Sequence, residues 1–83
     1  MVREFEKVLQ LAQDKQDLEK KLENLLTGLL TEKEIEELAE RIRIVQLLKK
    51  GVSQHEIAAT LKVGVATVSR GAKELKEGNF EYV

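Results

Sequence analysis

Residues 53–78 read SQHEIAATLKVGVATVSRGAKELKEG, and this stretch decides the fold. Ser53 and Glu56 form a capping box that opens one short helix, KVG makes a turn, and a second helix runs from residue 65 to a terminating glycine at 78. Two short helices joined by a tight turn are typical of a helix-turn-helix. Small or apolar residues occupy the positions that this motif requires, which are Ile57, Ala58, Leu61, Val63 and Val68. Lys62 stands where a glycine is common, which predicts a left-handed residue or a slightly different turn.

The same two helices also fit a plain corner within a helical bundle, and the outer face of the second helix distinguishes the two interpretations. A solvated face usually carries Glu, Lys and Gln, whereas this face is made of small residues and one base. It comprises Gly64, Val65, Ala66, Thr67, Ser69 and Arg70. Small residues at a helix N-terminus admit a nucleic-acid groove, where Val65 and Thr67 meet thymine methyls or base edges and backbone N–H groups bind phosphate. The pattern favours DNA binding over the corner.

Gly71 interrupts the second helix and costs about 1 kcal/mol relative to alanine at such a position. It either eases packing against a neighbouring helix or allows a ligand to approach the backbone closely. The sequence pattern around it does not decide between these two explanations.

A longer supporting helix is predicted over residues 31–51. Thr31 and Glu34 form a capping box at its start, and Gly51 ends it. Its apolar stripe is broader than one small partner helix needs, because Ile44 and Leu47 widen a row made of Ile35, Leu38, Ala39, Ile42, Val45 and Leu48. Such a helix is either central to the core or shared between subunits.

Residues 1–30 predict two helices joined near the sequence AQDKQD, with Thr27 and Gly28 ending the second. Residues 79–83 form a tail too short for an independent element.

At 83 residues without cysteine, the chain is one small helical domain that gains stability by association. The lone His55 has no neighbouring ligand set, so no metal site is expected. The absence of a clustered nucleophile or paired catalytic acids predicts no enzyme activity, and the lack of a long apolar run predicts no membrane contact and a cytoplasmic location.

The charge is distributed unevenly although the net value is −1. Residues 1–40 hold six bases against eleven acids, while residues 41–83 hold eight bases against four acids. An acidic front half and a basic back half indicate one scaffolding segment and one segment that meets an anion.

Residues 30–76 resemble the core of the bacterial Trp repressor family. The signatures are LT before the supporting helix, RIRIV within it, SQHE opening the first short helix, and GVATVSRG in the second. The resemblance implies that the second short helix is a recognition helix and that L-tryptophan is the corepressor, stacked between Arg41 and Arg70. It also implies that Gly71 clears space for this ligand and that Val45 lines its pocket.

The same resemblance implies that Thr31 and the backbone carbonyls around Gly28 and Leu30 lie near the ligand's ammonium group. Glu74 stands where the family has a small hydroxyl residue. Its carboxylate either pairs with the ammonium, fills the site, or selects another ligand.

Members of the family are intertwined homodimers whose recognition helices lie about one DNA turn, ~34 Å, apart over a palindromic operator. By this resemblance Arg43, Ser53, Gln54 and His55 also contact phosphates or base edges. Two alternatives to an amino-acid-activated repressor stay open. One is a helix-turn-helix regulator with no trigger or a different one, and the other is a helical assembly module whose basic half binds an acidic protein.

Overall fold

A computed structural model describes residues 2–83, which form five helices and contain no strand. The prediction of an all-α fold is confirmed. The helices are α1 (Arg3–Leu9), α2 (Lys15–Leu29), α3 (Glu32–Lys49), α4 (Gln54–Leu61) and α5 (Val65–Lys76). They belong to two compact units, one ending at Ile35 and one running from Glu36 to Val83. Within residues 2–83, none of the helices has the length and apolar character needed to cross a membrane.

In the first unit α1 packs against α2, and no residue of either helix is buried. Asp14 caps α2 by accepting a hydrogen bond from the Asp17 N–H at 2.8 Å. The Asp17 carboxylate in turn binds the Lys21 ammonium and accepts the Gln13 N–H, and these bonds lower the pKa of Asp17 below its ordinary value. This cap fixes the start of α2 within the joint that the sequence predicted near AQDKQD.

The predicted end of α2 at Thr27 and Gly28 was wrong by one residue. The helix continues through Gly28 to Leu29, and the extended Leu30 donates its N–H to Leu26 O at 2.9 Å. Gly28 does not take the positive φ that a terminating glycine uses, so it lies inside the helix.

The bounds of α3 follow the predicted signals. The Glu34 N–H donates to Thr31 Oγ1 at 3.1 Å, and the Thr31 N–H donates to the Glu34 carboxylate at 2.9 Å, which completes the capping box. These bonds favour the ionised carboxylate and therefore lower the pKa of Glu34. At the other end Gly51 takes a φ of 84°, which confirms the predicted stop.

The core of the second unit lies where α3, α4 and α5 meet. The buried side chains among residues 2–83 are Ile44, Val45, Ile57, Ala58 and Val68. Helix α3 contributes Ile44 and Val45 to this core, while Leu38 and Ile42 on the same helix are 38% and 45% exposed. The broad stripe of α3 is thus only partly covered by its own chain.

The α4–turn–α5 segment has the predicted order and spacing. Ser53 caps α4 by accepting the Glu56 N–H at 3.2 Å. Lys62 ends the helix in the left-handed conformation, with φ 57°, which is one of the two outcomes predicted for it. Gly64 then caps α5, and Gly78, with φ 94°, follows the end of that helix.

Candidate ligand cavity and the outer face of α5

A cavity of about 430 Å³ opens between α3 and α5 in the second unit. Its lining includes five residues that the sequence resemblance assigned to a ligand, which are Arg41, Val45, Arg70, Gly71 and Glu74. The structure adds Ile44, Ala66, Thr67 and Phe80. Cavities of this volume accommodate small organic ligands.

The cavity combines an apolar floor with charged walls. Ile44 and Val45 are at most 1% exposed, so they form a rigid apolar surface. Arg41 and Arg70 bring guanidinium groups from α3 and α5, and Glu74 brings one carboxylate. Guanidinium groups bind carboxylates and stack on aromatic faces, and a carboxylate binds an ammonium group. The set of groups matches an amino acid that carries an aromatic side chain.

Glu74 is held in place by Asn79, which lies three residues after the end of α5. Asn79 Nδ2 donates to Glu74 Oε2 at 2.8 Å, and the Asn79 N–H donates to the Glu74 carbonyl at 3.0 Å. The carboxylate is therefore oriented by a neutral amide donor, and it can accept a further hydrogen bond from a cationic group in the cavity.

Gly71 lies in contact with α3 as well as on the cavity wall. A methyl group at this position would lie 3.3 Å from Ile44 Cγ2, 3.8 Å from Leu48 Cδ1 and 4.0 Å from Val45 Cγ2. The close approach of α5 to α3 accounts for the glycine as a packing residue. A second role in ligand clearance stays a prediction.

Three other predicted ligand residues lie in the first unit. Gly28 is an exposed residue of α2, Leu30 is half-buried after it, and Thr31 precedes α3 with its hydroxyl engaged in the capping box. Their place near a ligand stays a prediction.

The outer face of α5 presents the residues expected to meet DNA. Gly64 caps α5 and has no side chain, so the first turn of the helix can approach a surface closely. Val65 is 43% exposed, and the other members of the face are exposed as well, namely Ala66, Thr67, Ser69 and Arg70. Because Ala66, Thr67 and Arg70 also line the cavity, one helix serves both surfaces.

Two of the predicted DNA contacts bind each other across α4 and α5. Ser69 Oγ donates to Gln54 Oε1 at 2.7 Å, which leaves the Gln54 NH₂ group oriented as a donor. Ser53 is engaged as the helix cap, and His55 is exposed in the first turn of α4. Arg43 is exposed but pairs with Glu40 one turn earlier, the surface pairing that competes with a phosphate contact.

Sequence reasoning missed the contribution of the tail. Phe80 lines the cavity, Asn79 orients Glu74, and Lys49 donates to backbone carbonyls of the tail. The Gly78–Asn79 pair marks a turn in the sequence, but no local pattern indicates that Phe80 returns to α3, 31 residues from Lys49.

Comparison with known proteins identifies relatives over most of the chain. The family model described as Trp repressor protein matches residues 3–83. A Trp operon repressor homolog from Vibrio parahaemolyticus is 40% identical over 75 residues, which are 89% of this chain and 72% of that protein. One from Vibrio vulnificus strain YJ016 is 48% identical over 59 residues, or 70% of this chain and 58% of that protein. One from Vibrio cholerae is 43% identical over 74 residues, or 88% and 71%. No solved structure matches the chain significantly.

Proposed function

The chain belongs to the Trp repressor family, and from this membership we propose that it is a transcriptional repressor that binds operator DNA with L-tryptophan as corepressor. The observation that carries the proposal is the double use of α5. Its outer face is small and exposed, while Arg70, Gly71 and Glu74 on the same helix line a cavity against α3. In this function α4 and α5 are the helix-turn-helix.

The corepressor site follows from the groups around the cavity. The indole ring stacks between the guanidinium planes of Arg41 and Arg70, one of which also neutralises the ligand carboxylate. The Glu74 carboxylate, held by Asn79, binds the ligand ammonium. Among the three roles left open for Glu74, this is the one its held position supports.

Ligand occupancy acts on DNA binding through α5. Ala66, Thr67 and Arg70 belong both to the cavity lining and to the DNA-facing surface. A ligand that fills the cavity favours the orientation of α5 that fits the major groove, because it binds that orientation more tightly than others. The N–H groups of the first turn of α5 then meet a phosphate, and the small side chains approach base edges.

The proposal includes a homodimer, since much apolar surface is uncovered in one chain. In the first unit Phe5, Leu11, Leu22 and Leu29 are each 41–70% exposed. Ile42 adds an exposed apolar residue from α3. A second copy that interlocks with these helices buries this surface and places two α5 helices about one DNA turn apart over a palindrome.

Calorimetric titration with L-tryptophan tests the ligand, with a matched pair of variants on α5. Arg70→Gln and Lys73→Gln each remove one positive charge, but only Arg70 lines the cavity. We expect about one ligand per chain for the wild type and for Lys73→Gln, and binding at least tenfold weaker for Arg70→Gln. Equal affinities in the two variants, or no heat from the wild type at millimolar ligand, would contradict the proposed corepressor site.

Selection from a pool of duplexes with a randomised centre tests the DNA function, with and without L-tryptophan. We expect a palindrome with half-sites about 10 bp apart to be enriched only with the ligand. Enrichment that is independent of L-tryptophan would instead support the regulator without this trigger. Retention that is sequence-blind and lost at raised salt would support the assembly module.

A further inference from the structure

The tail after α5 folds back onto the second unit. Lys49, the last residue of α3, directs its ammonium group to backbone oxygens of three tail residues, at 2.6 Å from Phe80 O, 3.3 Å from Glu81 O and 2.8 Å from Val83 O. An ammonium group has three N–H donors, so one side chain fixes the backbone of the whole turn.

The contact with Lys49 helps to fix the backbone conformation of Phe80. Its φ is 62°, a left-handed conformation that a bulky residue keeps only where surrounding contacts hold it. Lys49 holds its carbonyl from one side, and the Asn79–Glu74 hydrogen bond holds the preceding residue from the other. The Phe80 side chain is half-buried and lines the cavity.

We propose that Phe80 is a ligand-contacting wall of this cavity and that Lys49 is its positioning residue, so that the tail selects a ligand with a flat apolar ring. The inference rests on the proposed ligand function. Phe80 acts as a wall and not as a plug, because the cavity keeps about 430 Å³ with the ring in place. Among residues 2–83 it is the one aromatic residue that lines the cavity. An aromatic wall favours an aromatic ligand through edge-to-face or offset contacts.

The chain offers matched controls for both residues. Tyr82 is a second tail aromatic but is 94% exposed, so Tyr82→Ala controls for Phe80→Ala. Lys50 is the next lysine on the chain, so Lys50→Met controls for Lys49→Met, which keeps an apolar stem and removes the ammonium group. We expect L-tryptophan to bind Phe80→Ala about three- to tenfold more weakly than Tyr82→Ala. Lys49→Met weakens binding relative to Lys50→Met, and adding it to Phe80→Ala has no further effect because it acts through the ring.

A spectroscopic readout separates ligand contact from a purely structural role. In the wild type, L-tryptophan shifts the ring proton resonances of Phe80 far more than those of Tyr82, because aromatic ligands shift nuclei close to their faces. Phe80→Leu keeps an apolar side chain in case the alanine variant fails to fold, and it still binds more weakly than Tyr82→Ala. Circular dichroism verifies that each variant is helical.

The outcomes distinguish this inference from the function on which it rests. If the wild type binds no L-tryptophan, both the corepressor and the role of Phe80 are refuted. If the wild type binds but Phe80→Ala and Phe80→Leu match Tyr82→Ala, only the aromatic wall is refuted. If the effects of Lys49→Met and Phe80→Ala add in full, Lys49 does not act through Phe80 and its positioning role is refuted.

Discussion

Gly71→Ala tests how closely α5 approaches α3, and Gly28→Ala is its control at a helical glycine with open space around it. Within a helix the change from glycine to alanine gains up to about 1 kcal/mol. At Gly28, in α2, the new methyl group meets no atom within 4 Å, so we expect stabilisation of about 0.5–1 kcal/mol. At Gly71 the methyl group lies 3.3 Å from Ile44 Cγ2, a contact too tight to form without movement.

Ile44 has little room to move towards the core, because it is 1% exposed and packs there with Ile57 and Val68. Overpacking of such a site costs about 1–3 kcal/mol. Set against the gain in helix propensity, Gly71→Ala is expected to destabilise the protein by about 1 kcal/mol. The two substitutions therefore change stability in opposite directions although their chemistry is the same.

Urea unfolding followed by circular dichroism measures both changes. The chain concentration is kept fixed, because in the proposed homodimer association contributes to stability. In an Ile44→Leu background the branching methyl leaves Cβ, and Gly71→Ala is expected to lose most of its cost there. A stabilisation by Gly71→Ala equal to that by Gly28→Ala would refute the argument, since it would mean that the contact with Ile44 relaxes freely.

Three further changes are expected to act on separate parts of the molecule. The pKa of Glu34 in the folded protein lies below its ordinary value of 4.5. The ionised carboxylate therefore contributes fully to the free energy of unfolding above about pH 4.5, and this contribution is lost as the pH falls through the folded-state pKa. The stability advantage of wild type over Glu34→Gln, measured by urea unfolding from pH 7 to pH 3, should shrink accordingly, and a constant difference would contradict the capping role of the charge. Ser69→Ala removes the hydroxyl that orients Gln54, so we expect a loss of stability of no more than about 1 kcal/mol but weaker binding to the selected duplex, measured by fluorescence anisotropy. Leu22→Glu places a charge on the apolar face of α2, where Leu22 is 41% exposed. Sedimentation equilibrium should then show weaker self-association than for the wild type, whereas unchanged self-association would place the interface elsewhere.

Local signals predicted the helix ends well wherever one side chain or one φ angle decides them. Thr31 and Glu34 are three residues apart and cap α3 as expected. Lys62 is left-handed, which is one of the two outcomes predicted from its place in the turn. The prediction at Gly28 was wrong because a glycine also fits inside a helix. The helix ends one residue later, at Leu29, and Leu30 is its C-cap.

The cavity was predictable in part, and for a different reason. The resemblance placed Arg41, Arg70 and Glu74 together, and the structure brings all three to one cavity. Phe80 and Lys49 escaped because their contact joins residues 31 positions apart, and neither belongs to a motif or a periodic stripe. Long-range contacts of short tails depend on backbone geometry that local patterns do not encode.

The sharing of Arg70 and Thr67 between the cavity and the outer face of α5 has a consequence for timing in a cell. In the proposed function, the ligand raises the affinity of the protein for DNA by some factor. Bound DNA then raises the affinity of the protein for the ligand by the same factor, because the coupling free energy is reciprocal. Protein already seated on its operator therefore retains the amino acid at concentrations that empty the free protein. As the amino acid is depleted, the free pool loses its ligand first and the occupied operators are released last.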